Sequence, residues 1–156
     1  MEIKEDHVLI IDKDLIEKLE QVGATIVDGK LSLLEAVYFS EKGLLEKKDE
    51  ITEAAKKEDE LSEEKYLVLK DLRNKGYVAR LSLKGNEYFR VGRKGMRLGE
   101  DRTAYVVKVV PQDWKTDVEG IRKMLEFSGK VRKSLIVAIV EEGRISYVTM
   151  GRTKFE

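Results

Sequence analysis

Thr103-Ala104-Tyr105-Val106-Val107-Lys108-Val109-Val110 and Ser134-Leu135-Ile136-Val137-Ala138-Ile139-Val140 are the two longest apolar, β-branched runs of the chain. Both read as buried strands. The first is ended by Pro111, which cannot donate a ladder hydrogen bond. Between them, Asp117 opens a segment whose apolar residues Val118, Ile121, Met124 and Leu125 fall at helical spacing. After the second run, Glu141-Glu142-Gly143 is a turn signal and Arg144 to Met150 a further strand. This order of strand, helix, strand and strand predicts a central mixed β-sheet flanked by helices.

Upstream, Glu87 to Val91 reads as a strand with Phe89 and Val91 on one face and Tyr88 and Arg90 on the other. Tyr77 to Leu81 reads as another. Ser62 is expected to cap a helix carrying Tyr66, Leu69 and Leu72, with Gly76 ending it. Before that the pattern is more mixed. Residues 7–11 read as a strand, Asp14 as the cap of a short helix through Leu15, Ile16 and Leu19, and Ala24 to Val27 as a strand before the Asp28-Gly29 turn. Ser32 with Glu35 three residues on is a capping-box pattern for a helix that ends at Gly43. Residues 46–60 are charge-rich and read as a solvated connection. The expected fold class is therefore α/β (α+β), with a small mixed amino-terminal domain over 1–60 and a larger carboxy-terminal sheet domain over 61–156.

Composition narrows the chemistry. The 156 residues include no Cys and one His, so thiolate and multi-histidine metal centres are excluded, and any imidazole acid–base chemistry would run through His7. His7 precedes a strand-like run and is read as a strand-end residue. No apolar run approaches the roughly 18 residues of a membrane span, and the first residues do not resemble a signal peptide, so the expected location is the cytosol. Charged residues make up 38% of the chain, a composition similar to that of proteins from very hot environments. The zero net charge hides a split. Residues 1–64 carry 9 Lys and no Arg against 19 Asp and Glu, whereas residues 70–108 carry 11 Lys and Arg against 4 acids. A basic middle suits a phosphate-bearing ligand or an acidic protein surface.

Several segments, in order, resemble the archaeal tRNA-splicing endonuclease family. They are Leu33-Leu34-Glu35-Ala36-Val37-Tyr38-Phe39 with Glu41-Lys42-Gly43; Tyr66 with Asp71-Leu72-Arg73-Asn74-Lys75-Gly76-Tyr77-Val78; Phe89-Arg90-Val91; and Val131-Arg132-Lys133-Ser134-Leu135 with Ile145-Ser146-Tyr147. The resemblance covers about residues 31–150. It implies a nuclease-like carboxy-terminal domain and RNA cleavage that needs no metal or other cofactor. In that chemistry a tyrosine takes the proton of the 2′-hydroxyl, a histidine protonates the leaving 5′-oxygen, and a lysine stabilises the charged phosphorane. The products are a 2′,3′-cyclic phosphate and a 5′-hydroxyl.

Carried over residue by residue, that set is incomplete here. The tyrosine slot, after Phe-Arg-Val, is Gly92; the histidine slot, in Arg102-Thr103-Ala104-Tyr105, is Arg102; the lysine is present as Lys133. Glycine has no side chain to act as a base. Arginine stays protonated at any working pH, so it is a poor proton donor to an alkoxide. The resemblance therefore implies a structural subunit beside a catalytic one, in a heterotetramer of two catalytic and two structural chains acting on precursor tRNA. It also implies two contact regions. One is the last strand, with Ile145, Tyr147, Val148 and Met150. The other is the acidic turn, with Glu141 and Glu142.

The loop from Arg90 to Arg102 supplies RNA-contact candidates, namely Arg90, Arg93, Lys94, Arg97 and Arg102; Tyr105 and Trp114 are read as core residues, with base stacking as the alternative. Two other readings remain. One is a self-sufficient enzyme using Tyr88, Arg102 and Lys133. The other is a stand-alone RNA-binding module.

Overall fold

The computed structural model describes residues 1–81, 87–93 and 103–155. Among these, two sheets and five helices follow one another along the chain. β1 (Glu2–Ile3), β2 (His7–Leu9) and β3 (Lys30–Ser32) form an antiparallel three-stranded sheet in the order β1-β2-β3. β4 (Ala79–Arg80), β5 (Tyr88–Gly92), β6 (Thr103–Pro111), β7 (Ser134–Glu141) and β8 (Arg144–Met150) form a second sheet in that order. Only β6 and β7 are parallel. Parallel neighbours need a crossover, and the helix α5 (Val118–Val131) provides it. The mixed α/β fold expected from the sequence is the fold observed.

The amino-terminal part departs from expectation in detail. The helix α1 (Lys13–Gln21) is capped by Asp12, whose side chain accepts from the Asp14 amide, so Asp14 is the second helical residue and not the cap. Ala24 to Ile26 form no strand. The Ala24 amide is used to close α1, donating to the Leu19 carbonyl at 3.0 Å after Gly23 at φ 103°. The strand on the far side of the turn, β3, pairs with β2 instead. The turn itself is where the sequence put it: Asp28 and Gly29 both have positive φ, and Val27 and Lys30 bridge across them.

The helix α2 (Leu33–Glu41) opens with the expected Ser32 cap on the Glu35 amide, at 3.3 Å. It is buried on all sides from Leu33 to Ser40, so it is a central rod and not an amphipathic surface helix. The charge-rich segment after it is the helix α3 (Lys48–Glu58), which buries Ile51 and Ala55 along one edge. The next helix, α4 (Ser62–Asn74), starts at Ser62, but the expected Ser62 cap is absent. Asp59 accepts the Leu61 amide at 2.9 Å, and Ser62 is itself buried. The expected strand over residues 77–81 is confined to Ala79–Arg80.

One apolar cluster runs from Val8 and Leu31 through Phe39, Ile51, Val68 and Leu69 to Phe89, Val107 and Ala138. The five-stranded sheet thus packs one face on α4, which in turn packs on α2. On its other face α5 covers Val106 and Leu135 through Met124. A buried ion pair joins the two helices, Arg73 of α4 to Glu35 of α2. Among the described residues, no helix is long and apolar enough to cross a membrane.

Candidate functional site

The ladder register brings two of the three slots, Gly92 and Lys133, to one end of the second sheet. Gly92, the last residue of β5, is paired with Thr103, the first of β6, across a bulge, and its amide donates to the Val78 carbonyl at 2.8 Å. Tyr105 pairs with Ser134, which directly follows Lys133. At about 4.8 Å between neighbouring strands, Gly92 and Lys133 stand roughly 10 Å apart on either side of β6. Arg102 lies outside the described residues.

Lys133 is half-buried and forms no ion pair with a described residue. With Arg132, Ser134, Thr149, Gly151 and Arg152 it lines a cavity of about 360 Å³ at the carboxyl end of α5. Three cations and the hydroxyls of Ser128, Ser134 and Thr149 give this cavity groups complementary to an anion. No carboxylate, imidazole or phenol is among its described lining residues, and Gly92 is not one of them.

The other groups named from the sequence are elsewhere. His7 sits in β2 of the first sheet, its Nδ1 2.6 Å from Asp6 Oδ1. Tyr88 begins β5, four residues from Gly92, or roughly 13 Å along the strand. Its ring stacks on Phe127 of α5 with centroids 4.5 Å apart, and Lys108 lies over it at 5.4 Å. Burial, with the nearby Glu87 charge, raises its phenol pKa, which makes it a poorer base at neutral pH.

Of the RNA-contact candidates, Arg90 and Arg93 are exposed; Lys94, Arg97 and Arg102 fall outside the described residues. Tyr105 packs against the main core and Trp114 against the α5 cluster. Among the described residues, no group of three His, Asp or Glu side chains is placed to hold a metal ion.

At the opposite end of β7, Glu141 and Arg144 flank a tight turn in which Glu142 and Gly143 have positive φ. Both glutamates are exposed. β8 is the edge strand and pairs with β7 alone among the described strands. Its side chains divide: Ile145 and Tyr147 pack inward on the main core, Met150 packs on the α5 cluster, and Val148 is 43% exposed.

Sequence reasoning missed what holds β8 in place. The Tyr147 hydroxyl donates to Asp71 Oδ2 on α4 at 2.6 Å, and Lys75 donates to the same oxygen at 2.9 Å. Burial opposes the Asp71 carboxylate, but these two donors outweigh it and hold its pKa below the ordinary value. A matching contact ties α4 to α2, where the Tyr66 hydroxyl donates to Glu41 at 2.5 Å. The sequence shows these tyrosines only as apolar-face residues.

Residues 62–147 match the family described as tRNA intron endonuclease, catalytic C-terminal domain. Relatives include the tRNA-splicing endonuclease of Thermococcus kodakarensis, 36% identical over 96% of this chain and 95% of its own. That of Thermococcus gammatolerans is 35% identical over 88% of this chain and 87% of its own. That of Methanococcus vannielii is 32% identical over 97% and 93%.

Proposed function

The chain belongs to the tRNA intron endonuclease family, and from that premise we propose that it is a non-catalytic subunit that assembles with, and activates, a separate catalytic chain for intron excision from precursor tRNA. The observation that carries this reading is Gly92. The place from which a side chain would reach the 2′-hydroxyl holds only backbone, and the nearest tyrosine on that strand, Tyr88, is stacked roughly 13 Å away. The acid slot, Arg102, carries a permanent cation. Lys133 with its cavity can stabilise negative charge but cannot start or finish the proton transfers.

In this reading the partner performs metal-independent cleavage to 2′,3′-cyclic phosphate and 5′-hydroxyl ends. Residues 1–60 and 61–156 are the two domains. The assembly has two catalytic and two structural chains. Its contacts are the open edge of β8, which offers unpaired backbone groups as a pairing template, and the exposed Glu141-Glu142 turn, which suits a basic cleft. Val148 is the one β8 apolar side chain left outward for that contact, and Ile145, Tyr147 and Met150 set the strand's position from within.

The test is reconstitution. The purified chain leaves precursor tRNA intact, and adding a family member with all three catalytic groups yields cleavage with cyclic-phosphate ends. Cleavage by the purified chain that disappears in Lys133→Ala would instead establish a self-sufficient enzyme.

A further inference from the structure

The aromatic pair behind β5 stands apart from the slots and from the β8 edge. Phe127 is 37% exposed although Tyr88 stacks on it at 4.5 Å with 21° between the rings. Contact at that distance excludes water from the ring face toward Tyr88, which leaves the ring's edge and its other face to carry the exposure. Tyr88 is itself fixed from behind, with the Lys108 ammonium 5.4 Å from its centroid. The Phe127 ring is thus a braced, flat, half-open surface.

Its surroundings are cationic. Lys123 and Lys130 lie four residues before and three residues after Phe127 on α5, the spacings that place side chains beside one another on a helix. Arg90 follows Tyr88 by two residues and shares its face of β5. All three are exposed, and none forms an ion pair with a described residue. The contrast with Arg122 on the same helix is informative, because its guanidinium is held between Glu119 and Glu126 at 3.1 and 2.8 Å. An isolated exposed apolar residue needs no explanation. A braced ring rimmed by three unneutralised cations has the composition of a single-strand nucleic-acid platform, in which a base stacks and its flanking phosphates are neutralised.

We propose that the open face of Phe127 is a stacking site for an unpaired nucleobase of RNA, with Arg90, Lys123 and Lys130 receiving the adjacent phosphates. The site rests on the reading that the chain acts on precursor tRNA and names where on this subunit the RNA is held.

The test needs no partner chain. Fluorescence anisotropy with a labelled single-stranded oligouridylate is measured on the full chain at low salt, and repeated with precursor tRNA on the reconstituted assembly. Phe127→Leu keeps the apolar bulk and removes the aromatic face, and is expected to weaken both by about 5- to 100-fold. Phe127→Tyr stays near wild type. Should Phe127→Leu fail to fold, Lys123→Gln with Lys130→Gln is expected to lower the slope of log affinity against log salt by about 1.4. Unchanged affinity in Phe127→Leu, or an unchanged slope in the lysine pair, overturns the proposal. So does a Phe127→Leu chain that binds RNA normally but assembles poorly, since the ring then faces protein. Failure of the wild-type chain to assemble with a catalytic chain bears on the subunit reading alone and leaves the oligouridylate result standing.

Discussion

Arg73→Met is the change with the most calculable consequence. Arg73 lies at the junction of α4, α2 and β4: its guanidinium pairs with Glu35, donates to the Ala79 carbonyl at 3.0 Å and covers the Tyr38 ring at 5.1 Å. Glu35 is 0% exposed, so deleting its cation leaves a carboxylate in the core with only the Ser32 hydroxyl and local backbone as donors. Breaking a buried pair from one side costs about 3–5 kcal/mol, whereas replacing both partners by apolar groups is often neutral. With a urea m-value of ~2 kcal/mol/M, the denaturation midpoint of Arg73→Met should fall by about 1.5–2.5 M. Most of that loss should return in the double variant with Glu35→Leu. The loss should also depend on pH. Burial already pushes the Glu35 carboxyl up against the pull of Arg73, and without Arg73 it rises further. The folded state then holds a proton that the unfolded state releases. Stability is therefore greatest below the ordinary glutamate value near 4.5 and declines as pH rises toward the raised folded value. Urea denaturation followed by circular dichroism at pH 4.5 and 7 reads both effects. A midpoint shift under about 0.5 M at pH 7, or a double variant no better than the single one, refutes the reasoning.

Three further outcomes follow from other contacts. Glu141→Lys with Glu142→Lys should weaken assembly with a catalytic chain by at least about tenfold in titration calorimetry while leaving the melting curve unchanged; unaltered assembly removes the turn from the interface. Tyr147→Phe should cost about 1 kcal/mol at neutral pH in urea denaturation. Because the Asp71 pKa is depressed, that penalty is complete above its ordinary value of 3.8 and shrinks as pH falls through the lower folded value; a pH-independent penalty speaks against the hydrogen bond. Lys133→Ala should leave the cleavage rate of the assembled complex within about twofold of wild type, and a loss near a hundredfold in single-turnover assays would place this lysine in the chemistry.

Local signals in the sequence were reliable where they were self-contained. The Asp28-Gly29 turn, the Ser32–Glu35 cap and the Asp117 cap need only neighbouring residues to form, and the structure has them all; the strands from Thr103 onward are there too, each with a partner in the ladder. Ala24 to Ile26 failed because a strand needs a partner, and the Ala24 amide was already committed to the end of α1. Ser62 failed because it is the first helical residue and is buried, with Leu61 at the cap position and no side chain capping the helix; Asp59 only accepts the Leu61 amide. The site was legible only in part, for a related reason. Slots are read along the chain, but the Glu35–Arg73 and Asp71–Tyr147 contacts join residues 38 and 76 positions apart. A capping-box glutamate does not reveal that it is entirely buried, and a strand tyrosine does not reveal which helix it bonds.

The same sheet holds the Lys133 end and the Glu141-Glu142 turn well apart. β7 begins next to Lys133 and ends at Glu141, a run of 8 residues. At ~3.3 Å per residue the slots and the acidic turn are therefore about 26 Å apart. Between them the ladder from β6 to β8 is unbroken over seven registered pairs on each side of β7. Backbone hydrogen bonds hold that ladder whatever side chains occupy its ends, so a glycine at the tyrosine slot alters neither the edge of β8 nor the aim of the turn. Repulsion introduced at Glu141 and Glu142 likewise acts beyond the reach of the Lys133 cavity, because screened surface charges interact over roughly 8–10 Å. The two ends of β7 are thus separate experimental handles, although the Lys133 cavity shares Thr149 and Met150 with β8, so a variant at either end is read by measuring assembly as well as cleavage.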